Sequence, residues 1–311
     1  MPSLITPVAV VDCGTNSTRL LIRAGSVALE RRLVSTRLGK DTGRTGRLDA
    51  DGVRRTLEAL AEYRDLIEAH GARPVRGIAT QAVREASDGP DFVARAGDVL
   101  GFPVEVLTGE EEGRLGFMGA TSDFDEQLAP FLVLDIGGGS TELSVGTTDF
   151  EGSVSVPVGS VRVTEQHLHS DPPAPEELSN AIALVDAHLD DVLRELPAVR
   201  DAATLLGTGG TITTVAAVEI GLTEYDRDAL HRFVLTRPAA EDVFRTLATE
   251  RLADRVHNPG LPRARADIIV GGCCVLLAVM RRLELKECIV SECDLLDGIA
   301  DELAAAPPSP R

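Results

Sequence analysis

A glycine- and hydroxyl-rich motif occurs twice in this chain, and both copies carry residues that could bind phosphate. The first copy, VVDCGTNSTRLLI, covers residues 10–22, and the second, VLDIGGGSTELSV, covers residues 133–145, 123 positions later. Asp12 corresponds to Asp135. Glycine lets the backbone approach a ligand closely, and consecutive N–H groups in such a turn bind anions. The repeat therefore predicts two phosphate loops, each following a buried strand that ends in an aspartate.

Two ordinary β-hairpins are the alternative, because D-x-G turns are common. Two copies in register favour a binding function, since a repeat is a primary architectural signal. We expect the copies to clamp a phosphorylated ligand between two similar domains. A further loop, GTGGT at residues 207–211, follows a short apolar run and fits a third phosphate loop. None of the three matches the Walker A or G-x-G-x-x-G patterns, so a dinucleotide fold is unsupported.

Composition excludes several classes of partner. The chain has 31 basic and 49 acidic residues, a net charge of −18, which should repel nucleic acid and anionic membranes. Aromatic residues make up only 3%, which argues against stacking platforms for single strands. One stretch, residues 31–47, holds six basic residues and one acid. Either this stretch attracts phosphate, or it is a solvated surface, the usual fate of a charge run.

The cysteines and apolar runs indicate a cytoplasmic protein. Five cysteines lack C-x-x-C spacing, and we expect reduced, mostly buried thiols. The longest apolar run, residues 268–280, contains two glycines and is too short to span a bilayer. We expect no targeting segment. His167 and His169 form an H-x-H pair without a third ligand at suitable spacing, so we interpret them as surface residues.

Strand and helix patterns alternate in both halves of the chain, which predicts an α/β architecture in each. We expect domains at residues 1–127 and 128–305, followed by a disordered tail at 306–311. A helix capped by Asp49 or Asp51 should end at Gly71. Extended segments are expected from Phe131 to about Val163, and the last helix is assigned to the second domain.

Five motifs in order resemble those of the Ppx/GppA phosphatases: VDCGTNSTR, ATQAVR, TGEEEGR, DIGGGSTE and GTGGT. That family comprises exopolyphosphatases and guanosine pentaphosphate phosphohydrolases, and the resemblance covers about residues 8–300. It implies two similar actin/Hsp70/sugar-kinase-like (ribonuclease H-like) α/β domains with an interdomain active-site cleft. A carboxylate suits such a site, because it can orient and deprotonate the attacking water.

The resemblance also assigns roles to residues. It makes Glu112 the catalytic base and Glu142 a second active-site carboxylate, with Asp12 and Asp135 carrying Mg²⁺ or Mn²⁺. By residue type alone, Glu110–Glu112 would all fit acids at a helix N-terminus, and Glu142 an exposed strand residue. The expected phosphate ligands are arginine side chains and loop groups: Asn16, Ser17, Arg19, Arg84, Gly137, Gly138, Gly139, Ser140, Gly209, Gly210 and Thr211.

Two departures from the family pattern bear on the substrate. Longer relatives carry an additional C-terminal helical region, and they often show S-x-x-G-L-R-E-G where this chain has SECDLLDG at residues 291–298. Both departures favour short over long inorganic polyphosphate as the substrate. The reaction that we expect is Mg²⁺-dependent release of its terminal phosphate. Guanosine pentaphosphate hydrolysis, a non-catalytic polyphosphate or alarmone sensor, and a kinase of the same fold remain alternatives. A homodimer is a further expectation.

Overall fold

A computed structural model describes residues 6–306 of the chain. The predicted disordered tail lies outside these residues except for Ala306. The chain divides into two compact units, one formed by the residues up to Gly119 together with those from Leu295 onward, the other by Ala120–Asp294. Each unit contains one mixed sheet with helices, so the prediction of α/β architecture in both halves is confirmed.

The first unit is built on a five-stranded sheet in the order β3-β2-β1-β4-β5. β1 pairs antiparallel with β2 and parallel with β4. Its elements are β1 (Val8–Cys13), β2 (Thr18–Ala24), β3 (Val27–Val34), α1 (Thr42–Thr45), α2 (Ala50–His70), β4 (Val75–Ala79), α3 (Gln81–Glu85), α4 (Gly89–Leu100), β5 (Val104–Val106) and α5 (Gly109–Thr121).

The second unit has a six-stranded sheet in the order β10-β11-β9-β6-β7-β8. Its elements are β6 (Phe131–Ile136), β7 (Thr141–Gly146), β8 (Phe150–Val156), α6 (Ser160–His167), α7 (Pro175–Glu195), β9 (Thr204–Thr208), α8 (Gly209–Ile220), α9 (Arg227–Leu230), β10 (Val234–Thr236), α10 (Arg237–Thr249), α11 (Leu252–Arg255), α12 (Ile269–Arg282) and β11 (Glu287–Val290). The last helix of the described residues, α13 (Leu295–Ala305), belongs to the first unit. Short 3-10 turns lie at Glu126–Leu128, Pro197–Asp201 and Arg263–Arg265.

The central strand of each sheet is buried on both faces, which explains its continuous apolar sequence. All six residues of β1 are buried. On one face Val11 joins a core with α2 and α4, and on the other Val10 joins a core with α13. β6 takes the same central place in the second sheet, between β9 and β7. The loop that follows each central strand therefore begins from a strand that is paired on both sides.

The predicted start and end of α2 are confirmed. The Asp49 side chain accepts a hydrogen bond from the Gly52 N–H at 2.7 Å, and Gly71 ends the helix in the left-handed conformation at φ 59°. A carboxylate at the N-cap and glycine after the last turn satisfy backbone groups that the helix leaves unpaired.

Two expectations differ from the structure. Extended chain predicted to about Val163 ends at Val156, and Ser160–His167 is helical, because backbone N–H groups of its first turn bond to the glycine loop before β7. The final helix, assigned to the second domain by sequence, packs on β1 and β2 of the first unit. Its apolar residues Leu296 and Ile299 complete the core on that side of the sheet.

Candidate active site

Both copies of the repeat fold into the same strand-turn-strand hairpin. Asp12 lies opposite Arg19 across the first hairpin, and Asp135 lies opposite Glu142 across the second. In each turn a glycine N–H bonds to a serine carbonyl three residues later, from Gly14 to Ser17 and from Gly137 to Ser140, at 3.0 Å in both copies. The two predicted loops are therefore equivalent in backbone geometry as well as in sequence.

A second glycine, later in the chain, lets the backbone pack closely against each loop. The Gly39 N–H donates to the Thr15 carbonyl at 2.8 Å, and the Val161 N–H, two residues after Gly159, donates to the Gly138 carbonyl at 2.8 Å. A Cβ on Gly39 would come within 2.5 Å of Thr15, and one on Gly159 within 2.6 Å of Gly138. Only glycine permits these approaches. Sequence reasoning missed both anchors, although each follows the third strand of its repeat.

In the first copy the two predicted ligands bind each other. The Arg19 Nε and Nη2 atoms lie 2.8 and 2.7 Å from the same Asp12 oxygen, Oδ2, and the Asp12 carboxylate is 3% exposed. Charge-assisted hydrogen bonds of this kind are short and strong. The guanidinium neutralises the buried aspartate and fixes the orientation of both groups beside the loop.

In the second copy a carboxylate replaces the arginine. Glu142 is 3% exposed, so the interpretation of this residue as an exposed strand position is wrong. Its Oε1 accepts a hydrogen bond from the Ser155 hydroxyl on the neighbouring strand at 2.7 Å. Because Asp135 lies directly opposite, two acids meet where the first copy has an acid and a base. Adjacent like charges repel, which favours a cation at this pair.

The structure separates the three consecutive glutamates at the start of α5. Glu110 is exposed. Glu111 accepts hydrogen bonds from the Thr108 N–H and hydroxyl, each at 3.1 Å, while the Glu111 N–H bonds to the Thr108 hydroxyl at 3.2 Å. This reciprocal arrangement is a capping box. The bonds from Thr108 lower the pKa of the Glu111 carboxyl.

Glu112 instead turns inward. Its side chain is 12% exposed, and its Oε2 lies 3.5 Å from Nη1 of Arg84. Arg84 is itself fixed by a 2.5 Å hydrogen bond from Nη1 to the Leu107 carbonyl. The predicted base and one predicted phosphate ligand are thus brought together, and helix capping falls to Glu111.

The third loop joins the second copy within the same unit. Gly209, at φ 81°, begins α8, and a Cβ there would lie 2.3 Å from Oδ1 of Asp135. An amino-terminal helix end with a glycine backbone suits anion binding. Asp135, predicted as a metal ligand, therefore lies directly beside the glycines predicted to bind phosphate.

Sequence reasoning missed an arginine at this loop. A Cβ on Gly210 would lie 2.0 Å from Nη2 of Arg265, so the guanidinium rests against the glycine backbone. Buried Arg255 supports the turn that carries Arg265, since it donates to the carbonyls of Leu247 and Ala266 at 2.7 and 3.1 Å. No spacing rule links a turn at residues 263–265 with a loop at 207–211.

The basic stretch is mostly engaged in ion pairs. Arg31 binds Asp297, a residue of the divergent SECDLLDG segment, at 2.7 Å. Arg44 pairs with Asp41 at 3.3 Å, and Arg47 pairs with Asp88 at 3.2 Å. The pairs of Arg44 and Arg47 are largely exposed and therefore weak. Both interpretations of the stretch stay open.

The cysteines and histidines remain outside this chemistry. All five cysteines are buried free thiols, as predicted, and burial raises the pKa of the Cys288 thiol to about 12. His167 ends α6, and His169 is exposed. Across residues 6–306 no cluster of three or more side chains suited to holding a metal is found. In the same range, no helix has the length and apolar character needed to cross a bilayer.

Comparisons with known proteins agree with the sequence and geometry. The model of the Ppx/GppA phosphatase family matches residues 22–306. Exopolyphosphatase 2 of Mycobacterium tuberculosis is 39% identical over 96% of this chain and 99% of that protein. The crystal structure of the Aquifex aeolicus member of the Ppx/GppA family superimposes with a TM-score of 0.80 at 31% identity, covering 96% of this chain and 97% of that one.

A structure at lower identity supports the fold alone. An exopolyphosphatase from Cytophaga hutchinsonii superimposes with a TM-score of 0.84 at 24% identity, over 96% of this chain and 99% of that one. The predicted two-domain fold, shared with actin-like proteins, is therefore confirmed.

Proposed function

The chain belongs to the Ppx/GppA phosphatase family, and on this premise we propose that it is an exopolyphosphatase acting on inorganic polyphosphate. In this reaction water attacks the terminal phosphorus, the bond from that phosphorus to the bridging oxygen breaks, and a carboxylate takes the proton of the water. The name of the mycobacterial relative supports the substrate class.

The orientation of Glu112 carries this proposal. It alone among three adjacent glutamates is turned inward and held beside an arginine. A general base must be fixed within reach of the water it deprotonates. Arg84 would hold the carboxylate in place and donate to a phosphate oxygen, for which a guanidinium is well suited.

Backbone and arginine donors would stabilise the transferring phosphoryl group. The proposal assigns this role to Asn16, Ser17 and Arg19 of the first copy, to residues 137–140 of the second, and to residues 209–211 of the third loop. Phosphoryl transfer depends mainly on positioning and charge stabilisation, which such prearranged groups supply. Arg265, against Gly210, is added as a further donor on the basis of its position.

The acidic residues fit a divalent cation. Asp135 and Glu142 place two carboxylates opposite each other, and Asp135 reaches the glycine backbone of the third loop. Mg²⁺ takes oxygen ligands, commonly one or two carboxylates together with substrate phosphates and water. Asp12 and Asp135 are the proposed protein ligands, and bound Mg²⁺ or Mn²⁺ would neutralise charge on the substrate.

We propose that short polyphosphate is the preferred substrate. We also propose that the protein acts in the cytoplasm as a homodimer. The divergent segment supports short chains: its Asp297 binds Arg31, and Leu296 is buried in the core where relatives often carry an arginine.

The test of substrate is a comparison of kcat/KM for short polyphosphate, long polyphosphate and guanosine pentaphosphate with one protein preparation and excess Mg²⁺. We expect short polyphosphate to give the highest value. A higher kcat/KM for guanosine pentaphosphate would overturn the substrate assignment while leaving the proposed hydrolytic chemistry intact.

A further inference from the structure

Two adjacent glycines lie in the first turn of the helix α12. This helix contains most of the long apolar run, which is not part of any functional motif. Gly271 and Gly272 are the third and fourth residues of this helix, and both are buried. Each glycine in a helix costs about 1 kcal/mol relative to alanine. A consecutive pair is therefore unfavourable for the helix itself, and the reason for it should lie in packing.

Gly271 faces the helix that anchors the second-copy loop. A Cβ on Gly271 would lie 2.4 Å from the Thr164 hydroxyl and 2.8 Å from the Ser160 carbonyl, both on α6. The first turn of α6 holds the loop, because the Ser160 N–H donates to the Gly137 carbonyl at 3.0 Å. Any outward shift of α6 would be transmitted directly to Gly137.

Gly272 faces the third loop. A Cβ there would lie 2.5 Å from Cγ2 and 2.9 Å from Oγ1 of Thr211, which is buried in the first turn of α8. It would also lie 3.3 Å from Cβ of Ser160. Since real Cβ atoms do not approach to these distances, alanine at this position must displace α8, α6 or α12 itself.

We propose that Gly271 and Gly272 are positioning residues, which fix the spacing between the second-copy loop and the third loop by letting α12 pack against both α6 and α8. The inference rests on the proposed function, in which both loops bind the same phosphoryl group. A displacement of about 1 Å in such a site can lower the rate on the order of 100-fold.

The first test is a double-mutant cycle between Gly272→Ala and Thr211→Ser, which removes the Cγ2 methyl that the new Cβ would meet. Gly97→Ala in α4 is the matched control, since a Cβ there meets its nearest atom at an ordinary 3.4 Å. We expect Gly272→Ala to lower kcat/KM roughly 10- to 100-fold, mainly through kcat, and Gly97→Ala to leave it unchanged. In the Thr211→Ser background the loss from Gly272→Ala should be smaller.

A second measurement does not depend on turnover. Amide hydrogen exchange of residues 137–140 and 209–214 should be faster in Gly272→Ala than in wild type, with exchange in α4 unchanged. If Gly272→Ala does not fold, Gly271→Ala is measured in its place, with Thr164→Ala as the relieving partner because it removes the hydroxyl at 2.4 Å.

Folded glycine variants with wild-type exchange in both loops, or an equal loss of kcat/KM in both backgrounds, would overturn the inference. If wild type releases no phosphate, the proposed function fails, and the exchange measurement still decides whether α12 positions the loops.

Discussion

At the scale of single residues, the three glutamates that open α5 have different environments and should differ in effect. Glu112→Gln keeps the shape of the side chain but cannot accept a proton, and we expect kcat to fall by about 10²–10⁴ with KM little changed. Glu110 is exposed, so Glu110→Gln is the matched control and should retain wild-type kcat. Steady-state release of phosphate measures both.

Because the three residues are all glutamates, the sequence could not identify the catalytic one except through the family resemblance. The choice depends on which residue closes the capping box with Thr108 and which turns toward Arg84. Helix geometry assigns those roles only once the start of α5 is known, and sequence patterns locate helix ends poorly.

Glu142 provides a second prediction for a single side chain. Ser155→Ala removes the hydroxyl that donates to Glu142 at 2.7 Å, and the carboxylate should lose its fixed orientation. A hydrogen bond to a charged group contributes about 1.5–3 kcal/mol, so we expect kcat/KM to fall roughly 10-fold. Ser153→Ala is the control, because Ser153 bonds to Ser144 on the same strand pair. Equal losses in the two variants would show that the Ser155 contact has no specific role.

At the scale of elements, the capping box of α5 should make the free energy of unfolding depend on pH. The pKa of Glu111 is lowered by bonds from Thr108, so its contribution is present above the ordinary pKa and is lost as pH falls through the folded value. Since the group is exposed, Glu111→Gln should cost only on the order of 0.5 kcal/mol at pH 7. The difference from wild type should begin to shrink below about pH 4 and disappear as pH falls further, through the lowered pKa of Glu111, as measured by chemical denaturation. A constant difference down to pH 3 would contradict this origin.

Element prediction succeeded where the signal was local and failed where it was distant. The Asp49 cap, the Gly71 stop and the two repeat hairpins were evident because they involve neighbours in sequence. Helix α6 and the position of Arg265 depend on contacts with residues 137–138 and 210. Such contacts arise only when separate segments of the second unit pack together, so no periodicity reports them.

At the scale of the whole molecule, the net charge of −18 makes any local positive field important for a polyanionic substrate. Lys40→Ala combined with Arg44→Ala should raise KM for long polyphosphate more than for short, because more phosphates reach the stretch. The effect should shrink at high salt, since charges beyond about 10 Å are screened at roughly 0.1 M. Kinetics at two salt concentrations measure it.

The control for this experiment changes the net charge equally elsewhere. Arg194 and Arg245 are exposed arginines of the second unit that pair within their own helices. Their double alanine variant should leave KM unchanged for both chain lengths. If the two double variants behave alike at low salt, the basic stretch is a solvated surface, and the substrate does not depend on it.

Domain organisation also shows where sequence order misleads. The last helix follows the second repeat in the chain, yet it packs in the core of the first unit through Leu296 and Ile299. Apolar periodicity identifies the buried face of a helix but not the sheet that covers it. The architecture was predictable from the repeat, whereas this assignment required the packing itself.

The central claim is tested most directly by phosphate release from short polyphosphate, with and without Mg²⁺, by wild type and Glu112→Gln in parallel. We expect wild type to release phosphate only with the divalent cation, and the variant to bind polyphosphate comparably while its kcat falls by about 10²–10⁴. Isothermal titration calorimetry measures the affinity of both proteins for polyphosphate. The account would be contradicted if Glu112→Gln released phosphate at the wild-type rate, or if wild type bound polyphosphate and left it intact.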